Sequence, residues 1–331
     1  MADTTVQPLR IGILGAARIT PMALLRPARR LSEAVVVAVA ARDEARAAAF
    51  AKKHGIPRVH SSYEALLADP EIDAIYNPLP NSLHAEWTIR ALRAGKHVLC
   101  EKPLASNADE AQSMADAARV TGLVMMEAFH WRHHPLAGLL RDIVVSGELG
   151  TVRHIEATMC IPLPLRNDIR YRWDLGGGAT MDTGCYTISI VRHLAGAEPA
   201  VVRAEHRGFG EQIDRWMTAD MEFTDGRTGK ITCALLSSTL LKVEAVVRGD
   251  RGTLHVTNPV APHLFHRVTV QTEAGRRRVR VPGDATYVCQ LRDFVAAVRG
   301  EPLRWGPDDA VANMRVVDAV YQAAGLKRRG T

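Results

Sequence analysis

From Arg10 to Met126 short runs of Val, Ile and Leu alternate with stretches of helical length. No other feature of the chain restricts its fold as tightly. Strands joined through helices must lie parallel, and a parallel sheet has to be covered on both faces. The pattern predicts strands at 11–14, 35–41, 58–60, 74–76, 97–100 and 123–126. It predicts helices at 22–31, 43–53, 62–68, 82–94 and 107–121, the last four closed by Gly55, Asp69-Pro70, Gly95 and Gly122. Alternation of this kind specifies a doubly wound α/β Rossmann domain.

Beyond a helix at 135–146 the texture changes at Gly150. Strands are predicted at 151–160, 200–208, 217–223, 229–236, 242–248, 252–256 and 265–271, with tight turns at Asp225-Gly226 and Arg248 to Gly252. Helices at 179–194, 287–299 and 307–324 complete the chain. The second domain is therefore expected to be α+β, with a large, mostly antiparallel sheet open on one face. The expected division is 1–127 for dinucleotide binding and 128–331 for substrate binding and oligomerisation, the last helix being free to pack back on the first domain.

With 331 residues, 47% apolar and 24% charged, the chain can bury two cores and is unlike a disordered or fibrous protein. No apolar run approaches the roughly 20 residues of a membrane helix, and Met1 to Pro8 is too short and polar for a signal peptide, so a cytoplasmic protein without membrane contact is expected. Five scattered cysteines, none in a Cys-x-x-Cys pair, predict reduced, buried thiols and no zinc site. The net charge of +6 is dispersed along mixed-charge helices. Arg276, Arg277 and Arg278 form the one compact basic run, read as a solvated hairpin between strands, and no aromatic-interleaved stripe invites nucleic acid. A phosphate-bearing small molecule is the economical anionic partner.

Gly12-Ile13-Leu14-Gly15-Ala16-Ala17-Arg18-Ile19-Thr20 lies where the first strand passes to the first helix. Gly15 allows a tight turn and close approach of a pyrophosphate to a helix N-terminus, with Ala17, Arg18 and Ile19 alongside. Ala17 and Thr20 replace the second and third glycines of the dinucleotide fingerprint. Past the second strand stands Arg42, the residue type that favours the 2′-phosphate of NADP; Asp43 follows, either as a ribose ligand for NAD or as a helix cap. At the end of the fifth strand, Glu101, Lys102 and Pro103 lie outside the carboxyl edge of the sheet, where ligands of such sheets bind.

Gly95-Lys96-His97-Val98 leading into Glu101-Lys102-Pro103, preceded by Pro80-Asn81-Ser82-Leu83-His84 and followed by a β-rich domain, resembles the glucose–fructose oxidoreductase, inositol dehydrogenase and MocA family. The resemblance covers nearly the whole chain. It implies hydride transfer with NADP or NAD on a sugar-like polyol, Lys102 beside the reacting oxygen, and Pro78, Leu79, Pro80, Asn81 and His84 lining the nicotinamide half of the cofactor site. A second signature runs from Gly176-Gly177-Gly178 into Met181-Asp182-Thr183-Gly184-Cys185-Tyr186. Asp182 and Tyr186, four apart, share a helix face. Tyrosine in place of the histidine of the inositol branch is similar to dihydrodiol dehydrogenases, NADP-dependent xylose dehydrogenases and deoxysugar 3-ketoreductases. Trp131 and Arg132, in the segment after the sixth strand, are candidates to contact nicotinamide or substrate, and the neighbouring histidines are read as polar lining with no metal.

The nicotinamide carries the hydride, so the protein must orient the carbon and move one proton. Lys102 or Tyr186 can do this, since a lysine beside a phenol brings one pKa towards neutrality. Asp182 is expected to hold substrate hydroxyls. Arg166, Asp168, Arg170 and Arg172 either cap a surface turn or meet the diphosphate of a nucleotide-linked sugar. With helices on one face only, the second sheet is expected to leave an apolar face that a monomer would expose, so a homodimer or homotetramer is expected.

Overall fold

The computed structural model describes residues 7–165 and 167–331; Arg166 lies outside the described residues. The chain divides into two compact units. The first comprises the residues to Leu104, Asp109–Ala128 and Tyr287–Ala310; the second comprises Ala105–Ala108, Phe129–Thr286 and Val311–Thr331. The expected single cut at 127/128 is thus replaced by an interleaved division, because a helix far along the sequence completes the first unit.

In the first unit β1 (Leu9–Leu14), β2 (Ala34–Ala40), β3 (Arg58–His60), β4 (Ala74–Asn77), β5 (His97–Cys100) and β6 (Met125–Glu127) form a parallel sheet of order β3-β2-β1-β4-β5-β6. The order reverses between β1 and β4, which opens a crevice beyond their carboxyl ends. Helices α1 (Arg26–Ala28), α2 (Glu44–His54), α3 (Tyr63–Ala68), α4 (His84–Arg93) and α5 (Ala108–Thr121) follow the strands. The predicted helix at 22–31 is instead a π turn, Pro21–Leu25, running into the three-residue α1. Capping chemistry fixes the others: Asp43 and Ser62 accept backbone N–H bonds at the starts of α2 and α3, and Gly55 ends α2 at φ 73°.

The second unit opens with α6 (Pro135–Val145) and β7 (Val152–Cys160), then α7 (Cys185–Ala195). Strands β8 (Ala200–Phe209), β9 (Ile213–Glu222), β10 (Thr228–Ala234), β11 (Lys242–Gly249), β12 (Gly252–Thr257), β13 (Arg267–Thr272) and β14 (Gly275–Val279) join β7 in the order β14-β13-β12-β11-β7-β10-β9-β8. Among the described residues of this sheet, only β7 and β10 pair in parallel. Helix α7 lies on these two central strands, close enough that a Cβ on Gly229 would meet Val191 at 3.3 Å. Helices α8 (Thr286–Val298) and α9 (Pro307–Ala323) follow.

Two expectations about this sheet are corrected. Arg276, Arg277 and Arg278 do not sit between strands but form most of β14, an exposed edge strand paired with β13. Charge on an edge discourages a further strand from adding. The face of the sheet turned away from α7 is not apolar. It carries Glu156, Thr158, Asp220, Lys230, Glu244, Arg248 and His255, several joined as ion pairs, Arg248 with Glu156 and His255 with Glu244 among them.

Candidate active site

A candidate cofactor site in the first unit is assembled at the reversal of strand order. Gly15 leaves β1 at φ 81° and donates its N–H to the Ala40 carbonyl at 2.6 Å. A Cβ there would sit 3.0 Å from Leu79 Cδ2 and 3.7 Å from the Tyr63 hydroxyl, so only glycine leaves the backbone open. Asn77, buried at the end of β4, shapes the next loop: its Oδ1 accepts from Leu79 N at 3.3 Å and its Nδ2 donates to Thr88 Oγ1 at 3.1 Å. This asparagine had no signal in the sequence beyond its position at a strand end.

Past β2, Asp43 accepts the Arg46 N–H at 3.0 Å and so serves as the cap of α2, while Arg42 is exposed. Arg46, which the sequence reading passed over, turns its guanidinium back to the Ala16 carbonyl at 3.0 Å. Arg18 is exposed and Ala17 and Ile19 partly so. A glycine turn that a Cβ would obstruct, two exposed arginines and a capped aspartate together fit a dinucleotide bearing an extra phosphate.

Lys102 stands two residues beyond β5, partly exposed, and the Lys102–Pro103 peptide is cis. Its neighbour Glu101 is buried and accepts the Tyr76 hydroxyl at 2.6 Å; burial and the Glu101 charge push the Tyr76 phenol well above its ordinary range, which keeps it a donor. His84 is wholly buried, with Nδ1 2.9 Å from the Pro103 carbonyl and Nε2 2.8 Å from the Leu79 carbonyl. Burial lowers its pKa, so a neutral ring has one proton between two acceptors. The Nδ1–H tautomer donates to Pro103 and ties the start of α4 to the loop after β5; the Nε2–H tautomer donates to Leu79 in the loop after β4 instead. Pro78 and Leu79 are buried, and Pro80 and Asn81 partly exposed.

In the second unit Asp182 lies in a π turn, Thr180–Gly184, and Tyr186 one residue into α7. The shared helix face is thus built on a wider first turn than a regular α-helix gives. Tyr186 is 5% exposed, edge-on to Phe129 at 5.2 Å and to His130 at 5.8 Å. Arg170 donates Nε to Asp182 at 3.0 Å and Nη1 to Asp168 at 3.1 Å, and both carboxylates raise its pKa. Asp168 also accepts Arg170 N at 3.0 Å, the turn-capping role, and Arg172 pairs with Asp174. The loop therefore caps a turn and also anchors Asp182.

Trp131 and Arg132 are buried. Trp131 stands edge-on to His193 at 5.3 Å, and Arg132 donates Nε to Ser189 on α7 at 2.9 Å. These contacts lie inside the second unit, and Ser189 and His193, three and seven residues after Tyr186, share its face of α7, so both side chains pack along the face that bears Tyr186. Among the described residues no three His, Cys, Asp or Glu side chains converge to hold a metal ion, and the five cysteines are buried and unbridged.

Residues 9–129 match the Gfo/Idh/MocA oxidoreductase family, NAD-binding Rossmann fold, and residues 139–255 match the Gfo/Idh/MocA C-terminal domain. The chain is 37% identical to D-xylose 1-dehydrogenase (NADP(+)) 2 of Haloferax volcanii, over 96% of this chain and 97% of the relative. It is 36% identical to dTDP-3,4-didehydro-2,6-dideoxy-alpha-D-glucose 3-reductase of Streptomyces violaceoruber, over 97% of each. Among solved structures, KijD10, a 3-ketoreductase from Actinomadura kijaniata in complex with NADP and TDP-benzene, superimposes with a TM-score of 0.89 at 32% identity, covering 96% of this chain and 98% of that one.

Proposed function

Because this chain belongs to the Gfo/Idh/MocA family of oxidoreductases, we propose that it transfers a hydride between NADP and a CH–OH or C=O carbon of a sugar or sugar-like polyol. The observation that carries this reading is Lys102, just past the carboxyl end of β5 on the same sheet edge as the Gly15 turn. The nicotinamide supplies or accepts the hydride. Gly15 leaves room for the pyrophosphate, and Arg42 with Arg46 would hold the 2′-phosphate. His84 and Asn77 fix the loops on which Leu79 and Lys102 stand.

Lys102 holds or moves the proton of the reacting oxygen, and Tyr186 assists. Asp182, oriented by its hydrogen bond from Arg170, accepts hydrogen bonds from substrate hydroxyls. Free sugars are favoured over nucleotide-linked ones, because Arg170 and Arg172 are already committed to carboxylates. A diphosphate would have to draw a guanidinium away from such a partner. The test is NADPH absorbance with aldoses, keto-sugars, nucleotide-linked sugars and dihydrodiols. Turnover of an aldose or keto-sugar is expected; NADPH binding without turnover of any of the four classes would identify a sensor and overturn the proposal.

A further inference from the structure

We propose that Arg329 is a positioning residue for the helix that bears Asp182 and Tyr186, acting through Asp214 and the triple glycine. The inference rests on the reading of those two side chains as substrate-facing groups. Arg329 follows α9 and is wholly buried, as is the Asp214 carboxylate it meets, Nη2 to Oδ1 at 2.9 Å. Its Nε donates to the Gly177 carbonyl at 2.6 Å and its Nη2 also to the Gln212 carbonyl at 3.0 Å. Its guanidinium carbon lies 3.9 Å from the Tyr321 ring centroid and 4.6 Å from that of Trp173. The Tyr321 hydroxyl donates to Asp214 Oδ1 at 3.1 Å.

The other oxygen of Asp214 explains why this matters to the site. Oδ2 accepts both the backbone N–H and the hydroxyl of Thr180, each at 2.7 Å, and so caps the turn that contains Asp182. Arg329 therefore holds the chain on both sides of Gly178: Gly177 directly, Thr180 through the carboxylate. Gly178 has φ 136°, and a Cβ on it would stand 2.2 Å from Asp214 Oδ1, 2.6 Å from the Tyr321 hydroxyl and 2.9 Å from Arg329 Nη2. The glycine is required because the clamp fills the space of its side chain. A planar guanidinium reaches a carboxylate and two carbonyls at once; an ammonium on a flexible stem does not reproduce that fork.

The test compares wild type with Arg329→Ala by hydrogen exchange of residues 176–186 and by turnover per NADPH-binding molecule. Exchange at Thr180 and Asp182 should rise by about tenfold or more while β1 and β2 are unchanged, and kcat should fall by about tenfold or more at constant NADPH affinity. Millimolar guanidinium ion should restore both, and urea at the same concentration should restore neither. A folded Arg329→Ala protein with wild-type exchange at 178–186 overturns the proposal. So does activity lost only in proportion to NADPH-binding sites. Should the alanine variant fail to fold, Arg329→Lys carries the same comparison and should show a smaller change in the same residues. If wild type turned over no substrate, the proposed function would fail while the exchange measurement still judged the clamp.

Discussion

At the scale of single residues the proposed function separates groups that act from groups that hold them. Lys102→Met should lower kcat by about 10²-fold or more with little change in NADPH affinity, because it removes a proton donor and leaves the loop built by His84 and Asn77. Tyr186→Phe keeps the ring against Phe129 and His130, and should cost less and move the pH profile. Near-normal turnover in Lys102→Met on the true substrate would remove the mechanism. The sequence marks Lys102 by its strand end, and Asp182 and Tyr186 by their helix spacing, as candidates for those roles. Arg46, Asp214 and Arg329 carry no such mark, since their partners lie 30, 34 and 115 residues away in sequence. In a sequence, an arginine held chiefly by tertiary hydrogen bonds looks like any surface arginine.

At the scale of elements, caps decide two measurable properties. Asp43 is spent on α2, which leaves Arg42 and Arg46 as the cations of that corner. Wild type should bind NADPH at least about tenfold more tightly than NADH, and the double change Arg42→Ala with Arg46→Ala should abolish the preference, since charge-assisted contacts contribute roughly 1.5–3 kcal/mol each. Equal wild-type dissociation constants by fluorescence would show that the corner reads no phosphate.

The cap of α6 is His134, whose Nδ1 accepts the Leu136 N–H at 3.1 Å. Burial, then the nearby His266 and His263, lower its pKa from 6.5 to about 4. A depressed histidine pKa means that the unfolded chain takes up the proton first. The cap is at full strength above about pH 6.5 and weakens as pH falls towards about 4. Its loss amounts to at most about 1.4 kcal/mol per pH unit. His134→Asn keeps a capping acceptor that does not titrate, so urea midpoints should fall less steeply with acid in the variant than in wild type. Identical slopes would remove His134 from the account. The periodicity of the sequence showed that α6 exists; that its first turn is sensitive to acid comes from burial of the His134 ring and from side chains at 263 and 266, neither of which sequence spacing reveals.

At the scale of the whole molecule, most strand positions, the division into a parallel and a mostly antiparallel sheet, and most helices were legible, because alternation, glycine stops and capping residues repeat the same message. The second sheet's outer face was misjudged. Period-2 patterning shows that one face is buried but leaves the polarity of the other to be read residue by residue. A homodimer or homotetramer paired through that face would be held by charges and their ion pairs, and such association weakens with salt. Light scattering at micromolar protein should give a particle of at least twice 36.2 kDa at low ionic strength and a smaller one in 1 M salt. A 36.2 kDa particle throughout would establish a monomer.

The interleaving of the two units bears on how the protein comes into being. Residues 287–310 belong to the first unit although 158 residues of the second, 129–286, are made before them. A ribosome working from the N-terminus therefore finishes the second sheet while the nucleotide-binding half still lacks its closing helix. The half that begins first is completed after β14 has left the ribosome, and a nascent chain stalled anywhere before α8 would present that half incomplete to chaperones and proteases.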